Sequence, residues 1–169
     1  MALSARVTFG LVSRFMDLSH FLSADAVDAQ LAVPNKKALF QALGGLAARA
    51  LGHDSREVVE RLLERERLGT TGFGGGVAIP HGRLPGSDPI RGAFVRLERP
   101  IDYGAIDDMP VDLVFMLLSP ADAGAEHLKA LARISRCLRD RAFLAKLRGA
   151  GSPDALYALF AGGEARDAA

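Results

Sequence analysis

Four histidines and one cysteine are the side chains of this chain best suited to nucleophilic or metal chemistry near neutral pH. His20, His53 and His127 stand apart in sequence, but His81 closes a distinctive stretch. Gly72, Gly74, Gly75 and Gly76 lead into the short apolar run Val77-Ala78-Ile79, which Pro80 stops, and His81 and Gly82 follow at once. Proline fixes its own φ and donates no sheet hydrogen bond, so Pro80 is expected to end the strand and hold His81 at its mouth. Gly82 has no side chain to keep another molecule from the imidazole. A neutral imidazole carries a free lone pair, so the expected chemistry is attack by nitrogen on an electrophile. A histidine that merely bonds a backbone carbonyl would read the same from residue type alone.

Other chemistries fit less well. The stretch lacks the Gly-Lys-Ser/Thr of a phosphate-binding P-loop, and Gly72-Phe73-Gly74 is followed three residues on by Val77, not the glycine of a dinucleotide fingerprint. No histidine pair has metal-helix spacing, and Cys137 lies in an apolar helical context, so no metal site and no cofactor are expected. A formal charge of +1 gives no footprint for nucleic acid. The single cysteine excludes an intrachain disulfide and fits a reducing cytosol. No apolar run reaches membrane-span length, so no membrane insertion is expected.

The stretch resembles the active-site segment of the type-2 IIA domains of the bacterial phosphoenolpyruvate-dependent phosphotransferase system, the fructose, mannitol and nitrogen-regulatory IIA proteins. The matching residues are Glu66, Phe73, Gly74, Val77, Ala78, Ile79, Pro80, His81 and Gly82, without a gap. The likeness continues through Ile101 to Asp107, Pro110 to Leu113, Pro120 to Asp122 and His127-Leu128, pieces most similar to the nitrogen-regulatory branch.

The resemblance implies a phosphotransferase in which His81 accepts a phosphoryl group as a tele-phosphohistidine. It also implies a supporting arginine at Arg65 and a second active-site histidine at His127. On residue type alone, Arg65 reads equally as one of three surface arginines with Arg61 and Arg67, and His127 as a surface residue at a helix start. Thr70, Thr71 and Gly82 are candidate phosphoryl contacts, though the threonines could instead cap the turn. The implied donor is a small HPr-like phosphocarrier of the nitrogen type (NPr). The implied readers are regulatory targets such as kinases or potassium transporters, in the cytoplasm. A sugar-specific IIA component that passes the phosphoryl group to a IIB domain is the alternative in the same family. A binding module never phosphorylated is the alternative outside it.

The elements that must position these residues follow from the apolar pattern. With 169 residues, 49% of them apolar, one domain with a full core is expected. Residues 1–15 read as an N-terminal extension or a misplaced start, not a signal peptide, 16–161 as the domain, and 162–169 as a tail. Leu18 to Leu22 suggests a helical turn, and Ala26–Val33 an edge strand. Lys36–Leu51 has a helical stripe of Leu39, Ala42, Leu43, Leu46 and Ala50, stopped at Gly52. Asp54 to Glu57 is a capping box opening a helix that buries Val58, Val59, Leu62 and Leu63. Strands are expected at Val77–Ile79, Gly92–Glu98 and Val111–Leu118, the last central, with a turn-rich loop at Leu84–Pro89 and a short extra strand near Ile101. A helix over Ala125–Arg139 is expected to turn Leu128, Leu131, Ile134, Ser135 and Leu138 inward. A short helix around Phe143 to Leu147 follows, then one opened by Ser152-Pro153 and running to Phe160. The alternation predicts an α/β fold, and the resemblance implies a mixed central β-sheet flanked by helices on both faces.

Overall fold

A computed structural model describes residues 17–86 and 89–162. The expectations for the N-terminal extension, for most of the tail and for the tip of the 84–89 loop lie outside those residues. The elements in chain order are β1 (Leu22–Leu31), α1 (Lys36–Leu46, closed by a π-helical turn Ala47–Leu51), α2 (Ser55–Arg67), β2 (Gly72–Gly74), β3 (Val77–Ala78), β4 (His81–Leu84), β5 (Arg91–Ile101), β6 (Val111–Pro120), α3 (Ala125–Cys137), α4 (Arg141–Gly149) and α5 (Pro153–Phe160).

The six strands form one mixed sheet in the order β1-β5-β6-β3-β2, and β4 also pairs with β6. β1 runs parallel to β5, β5 antiparallel to β6, and both β3 and β4 parallel to β6. β6 is the centre because both of its faces are covered, which is why its sequence is almost uninterruptedly apolar. Leu113, Phe115 and Leu117 face α3, α4 and α5 in a cluster that includes Ile134, Leu147 and Phe160. Val114, Met116 and Leu118 face the opposite way, into a cluster with Leu39, Phe40, Leu43, Val58 and Leu62 of α1 and α2. The mixed sheet with helices on both faces is therefore the architecture of the chain, and β1 is an edge strand as its pattern indicated.

Local sequence rules account for most boundaries. Asn35, Asp54, Asp140 and Ser152 cap their helices, each side chain accepting a hydrogen bond from the backbone N–H three residues on. Gly75 and Gly76, with φ of +68° and +81°, make the tight turn between β2 and β3 that side-chain-bearing residues resist. Arg148 clamps this hairpin, donating to both carboxylate oxygens of Asp112 at 2.7 and 2.8 Å and to the Gly75 carbonyl at 2.9 Å.

Several expectations change. β1 begins at Leu22, and the glycine stretch contains the short strand β2. The expected extra strand near Ile101 is the end of β5, whose pairing with β6 lapses between Arg96 and Ile101, where Pro100 has no N–H to give. Leu63 is exposed, because α2 covers the sheet with a narrow face. In α3 the inward face is His127, Ala130, Ile134 and Cys137, and Leu128 is 65% exposed. Leu138 is buried as expected, while Leu131 and Ser135 lie half-buried.

Candidate functional site at the end of the interrupted strand

β3 and β4 lie end to end along one side of β6. Val77 and Ala78 pair with Leu113 and Val114, then His81 to Leu84 pair with Leu117 to Pro120. Pro80 interrupts this strand and does not end it, since pairing needs only its carbonyl there, which accepts from Leu117 N at 3.0 Å. The interruption has a chemical consequence. The Ile79 carbonyl accepts a hydrogen bond from Nδ1 of His81 at 2.8 Å. A carbonyl cannot donate, so Nδ1 carries the proton and Nε2 carries the lone pair. Nε2 faces Arg65, whose Nε donates to it at 3.2 Å. A guanidinium donor at Nε2 requires the same tautomer.

His81 is half-buried. Burial above all holds its pKa below the usual imidazole range; the bond to the Ile79 carbonyl acts against this, the Arg65 charge adds to it, and Glu66 opposes. The ring is thus kept neutral, with its Nε2 lone pair held toward Arg65.

Arg65 reaches the site from the last turn of α2 and is itself fixed by Nη1, which donates to the Gly69 carbonyl at 2.9 Å. His127 reaches it from the first turn of α3, its ring centroid 5.5 Å from that of His81. It is 5% exposed, so its reading as a surface residue at a helix start fails. Its Nδ1 lies 2.6 Å from the hydroxyl of Ser119, which is fully buried at the end of β6. Burial first, then the neighbouring His81 and Arg83, pushes its pKa down to about 4. Arg83, the cross-strand partner of Ser119 on β4, is a second cation of the site that sequence reasoning missed. The motif ends at Gly82, and only the continuation of β4 places the next residue near enough to His127 for its charge to act there.

Glu66 and its partners were also hidden in the sequence as a functional unit. Its Oε1 accepts from Lys36 Nζ at 2.6 Å and from Thr71 N at 3.0 Å, and its Oε2 accepts from the Thr71 hydroxyl at 2.6 Å. Tyr103 OH lies 2.7 Å from that hydroxyl and donates to it, the Thr71 proton being committed to Glu66. Burial would raise the Glu66 carboxyl, but Lys36 and Thr71 outweigh it and the net shift is downward. Burial likewise keeps the Tyr103 phenol protonated by raising its pKa, which the Thr71 bond only partly opposes. The group ties the loop after α2 to the loop after β5 and to the start of α1, and it fixes the turn that Arg65 holds.

The other candidate contacts fare differently. The Thr71 side chain is buried and spent on Glu66 and Tyr103, while Thr70 accepts from Gly72 N at 3.2 Å and stabilises the turn. Gly82 is no open approach to the imidazole. A side chain there would meet Cβ of Arg61 at 3.0 Å, so its bareness serves the packing of β4 on α2. His20 is exposed and His53 half-buried, and neither has a bond to this site. No group of three or more potential metal ligands comes together among the described residues.

Comparison with known proteins places these features. The family model for the phosphoenolpyruvate-dependent sugar phosphotransferase system, EIIA 2, matches residues 20–162. A nitrogen regulatory protein of Bradyrhizobium diazoefficiens is 49% identical over 146 residues, covering 86% of this chain and 95% of the relative. That of Escherichia coli K12 is 40% identical, covering 85% and 89%. A crystal structure of the nitrogen regulatory protein IIA-Ntr from Neisseria meningitidis superposes with a TM-score of 0.78 at 34% identity, over 89% of this chain and 99% of that one.

Proposed function

The chain belongs to the EIIA type-2 family of the phosphoenolpyruvate-dependent phosphotransferase system, and on that premise we propose that it takes a phosphoryl group onto Nε2 of His81 from an HPr-like carrier of the nitrogen type. Its relatives make it a phosphoryl-accepting regulator of the nitrogen branch. Membership implies phosphotransfer partners of the HPr or IIB kind. The observation that carries the assignment to His81 is the Nδ1–H bond to the Ile79 carbonyl, which leaves Nε2 unprotonated and facing Arg65.

The step balances without a base. Arg65 Nε gives up its bond to Nε2 as the donor approaches; the freed lone pair of Nε2 attacks phosphorus in line, the donor N–P bond breaks, and its electron pair returns to the donor nitrogen as neutral imidazole. No proton leaves the attacking nitrogen. Nδ1 keeps its proton, and the positive charge that the ring acquires is stabilised by the Ile79 carbonyl. Arg65 then stands beside the phosphoryl oxygens, where a fixed cation stabilises charge that builds up in transfer. Arg83 adds to the local positive potential, and His127 orients the group. Phosphorylation brings up to about two negative charges to a surface that regulatory proteins, such as kinases or potassium transporters, read by contact.

The test is incubation with phosphoenolpyruvate and the purified general carriers, followed by phosphosite mapping. The expected result is one phosphoryl group on His81. Label on another residue, or none while a control IIA protein is labelled, overturns the assignment. No helix among the described residues is long and apolar enough to cross a membrane, and we place the protein in the cytoplasm with its carrier; fractionation of cells checks this.

A further inference from the structure

A neutral imidazole has one N–H, so a histidine that must present a donor on one side has to be told which nitrogen keeps the proton. His81 is told by the Ile79 carbonyl. Among the described residues the ring of His127 bonds not to a carbonyl but to Ser119, whose hydroxyl can donate or accept. We propose that Ser119 is a positioning residue of the phosphotransfer site: its hydroxyl donates to Nδ1 of His127 and thereby fixes the proton on Nε2, the nitrogen left to donate to a phosphoryl group on His81. The inference rests on the reading of His81 as the acceptor.

Three observations support it. First, β6 is apolar from Leu113 to Leu118, and Ser119 follows with 0% exposure, so its hydroxyl is out of reach of water and placed against one ring nitrogen. Second, His127 is 5% exposed, and its ring centroid lies 5.5 Å from that of His81, which leaves little room for the ring to choose another partner. Third, the opposite tautomer conflicts with the charge that must arrive. If Nδ1 donated to Ser119, the Nε2 lone pair would confront anionic phosphoryl oxygens beside Nε2 of His81. The alternative of carrying both protons is disfavoured by burial and by the positive charge of Arg83. A serine donating to Nδ1 removes the conflict before the phosphoryl group arrives.

The nitrogen-15 spectrum of the ring reads the tautomer directly, whether or not any phosphotransfer occurs. In the wild-type protein at neutral pH, His127 is expected to show a protonated Nε2 and a bare Nδ1. Ser119→Ala is expected to mix the two tautomers and to slow single-turnover transfer to His81 about five-fold, the size of one modest hydrogen bond. Ser119→Thr keeps a hydroxyl and is expected to restore both readouts. A wild-type spectrum with the proton on Nδ1, or an alanine variant with unchanged tautomer and rate, overturns the proposal. If His81 accepts no phosphoryl group while the spectrum shows the protonated Nε2, the reading of His81 fails and the role of Ser119 in tautomer choice stands. Should the alanine variant fail to fold, the wild-type and threonine spectra decide.

Discussion

Removing Glu66 tests whether the loop after α2 is held by the buried group or only rests on it. The Glu66 side chain is 7% exposed, and its two oxygens take three hydrogen bonds of 3.0 Å or less, from Lys36 Nζ, Thr71 N and the Thr71 hydroxyl. Glu66→Ala leaves those donors facing a small void. Breaking a fully buried pair costs about 3–5 kcal/mol. Lys36 is 30% exposed and recovers water, so the lower end or less applies, about 2–3 kcal/mol. In a chain of this length each kcal/mol moves Tm by roughly 2–4 °C, which gives a fall of roughly 4–12 °C. Glu66→Gln keeps an acceptor for Thr71 but loses the charge on Lys36, and falls in between. The linkage has a sign. The Glu66 carboxyl titrates lower in the folded protein than in the unfolded one, so its stabilisation is full above the unfolded pKa and fades as pH falls through the folded one. The assay is thermal unfolding at pH 7 and at pH 4, paired with single-turnover transfer. The same loop supplies the Gly69 carbonyl that fixes Arg65, so the transfer rate should fall with stability. An alanine variant that melts within 1 °C of wild type and transfers at its rate refutes the reasoning.

His81→Ala should lose all phosphoryl label while costing about 1 kcal/mol of stability, one hydrogen bond to a carbonyl, as read by mass spectrometry and melting. The wild-type label should be acid-labile and alkali-stable, as a phosphoramidate is. Arg65→Ala should slow transfer ~10²-fold, the typical effect of one lost electrostatic contact in such a site, and Arg65→Lys should restore part of it in single-turnover assays. His127, with its pKa pushed down to about 4, binds fewer protons when folded than when unfolded between the two pKa values. Its contribution is full above about pH 6.5 and is lost as pH falls to about 4; His127→Phe should flatten that window in acid-unfolding titrations.

Much of the fold was legible because local and global signals agree. The caps at Asp54 and Ser152, the stop at Gly52 and the unbroken apolar run of β6 all act within a few residues. Where the reading slipped, the deciding force was tertiary. β2 has only three residues, two of them glycine, and exists because the hairpin pairs along β3. Leu128 looks like a core residue by type, but α3 starts where the β6 exit loop lets it, and that phase turns His127 inward instead. Its burial is the clearest example of chemistry overriding hydropathy: a histidine takes the inner position because Ser119 meets it there.

The site itself was half legible. The glycine-rich stretch ending in Pro80-His81 located the proposed nucleophile, but it misassigned the work of the residues around it. Pro80 was expected to end a strand; in the structure β4 resumes pairing at once, and the Ile79 carbonyl at the break takes the Nδ1 proton. The break therefore sets the protonation of His81, since the Ile79 carbonyl can only accept and so keeps the proton on Nδ1. Gly82 was expected to admit a partner molecule, yet its missing side chain lets α2 close on β4, and that contact keeps the helix carrying Arg65 against the strand carrying His81. Thr71 was expected to touch phosphate, yet it anchors Glu66. In each case a residue type suited to direct contact acts one step behind it. A histidine needs no base to attack phosphorus, so its surroundings are arranged for direction: one carbonyl sets its proton, one guanidinium faces its lone pair, and buried polar groups hold those two in place.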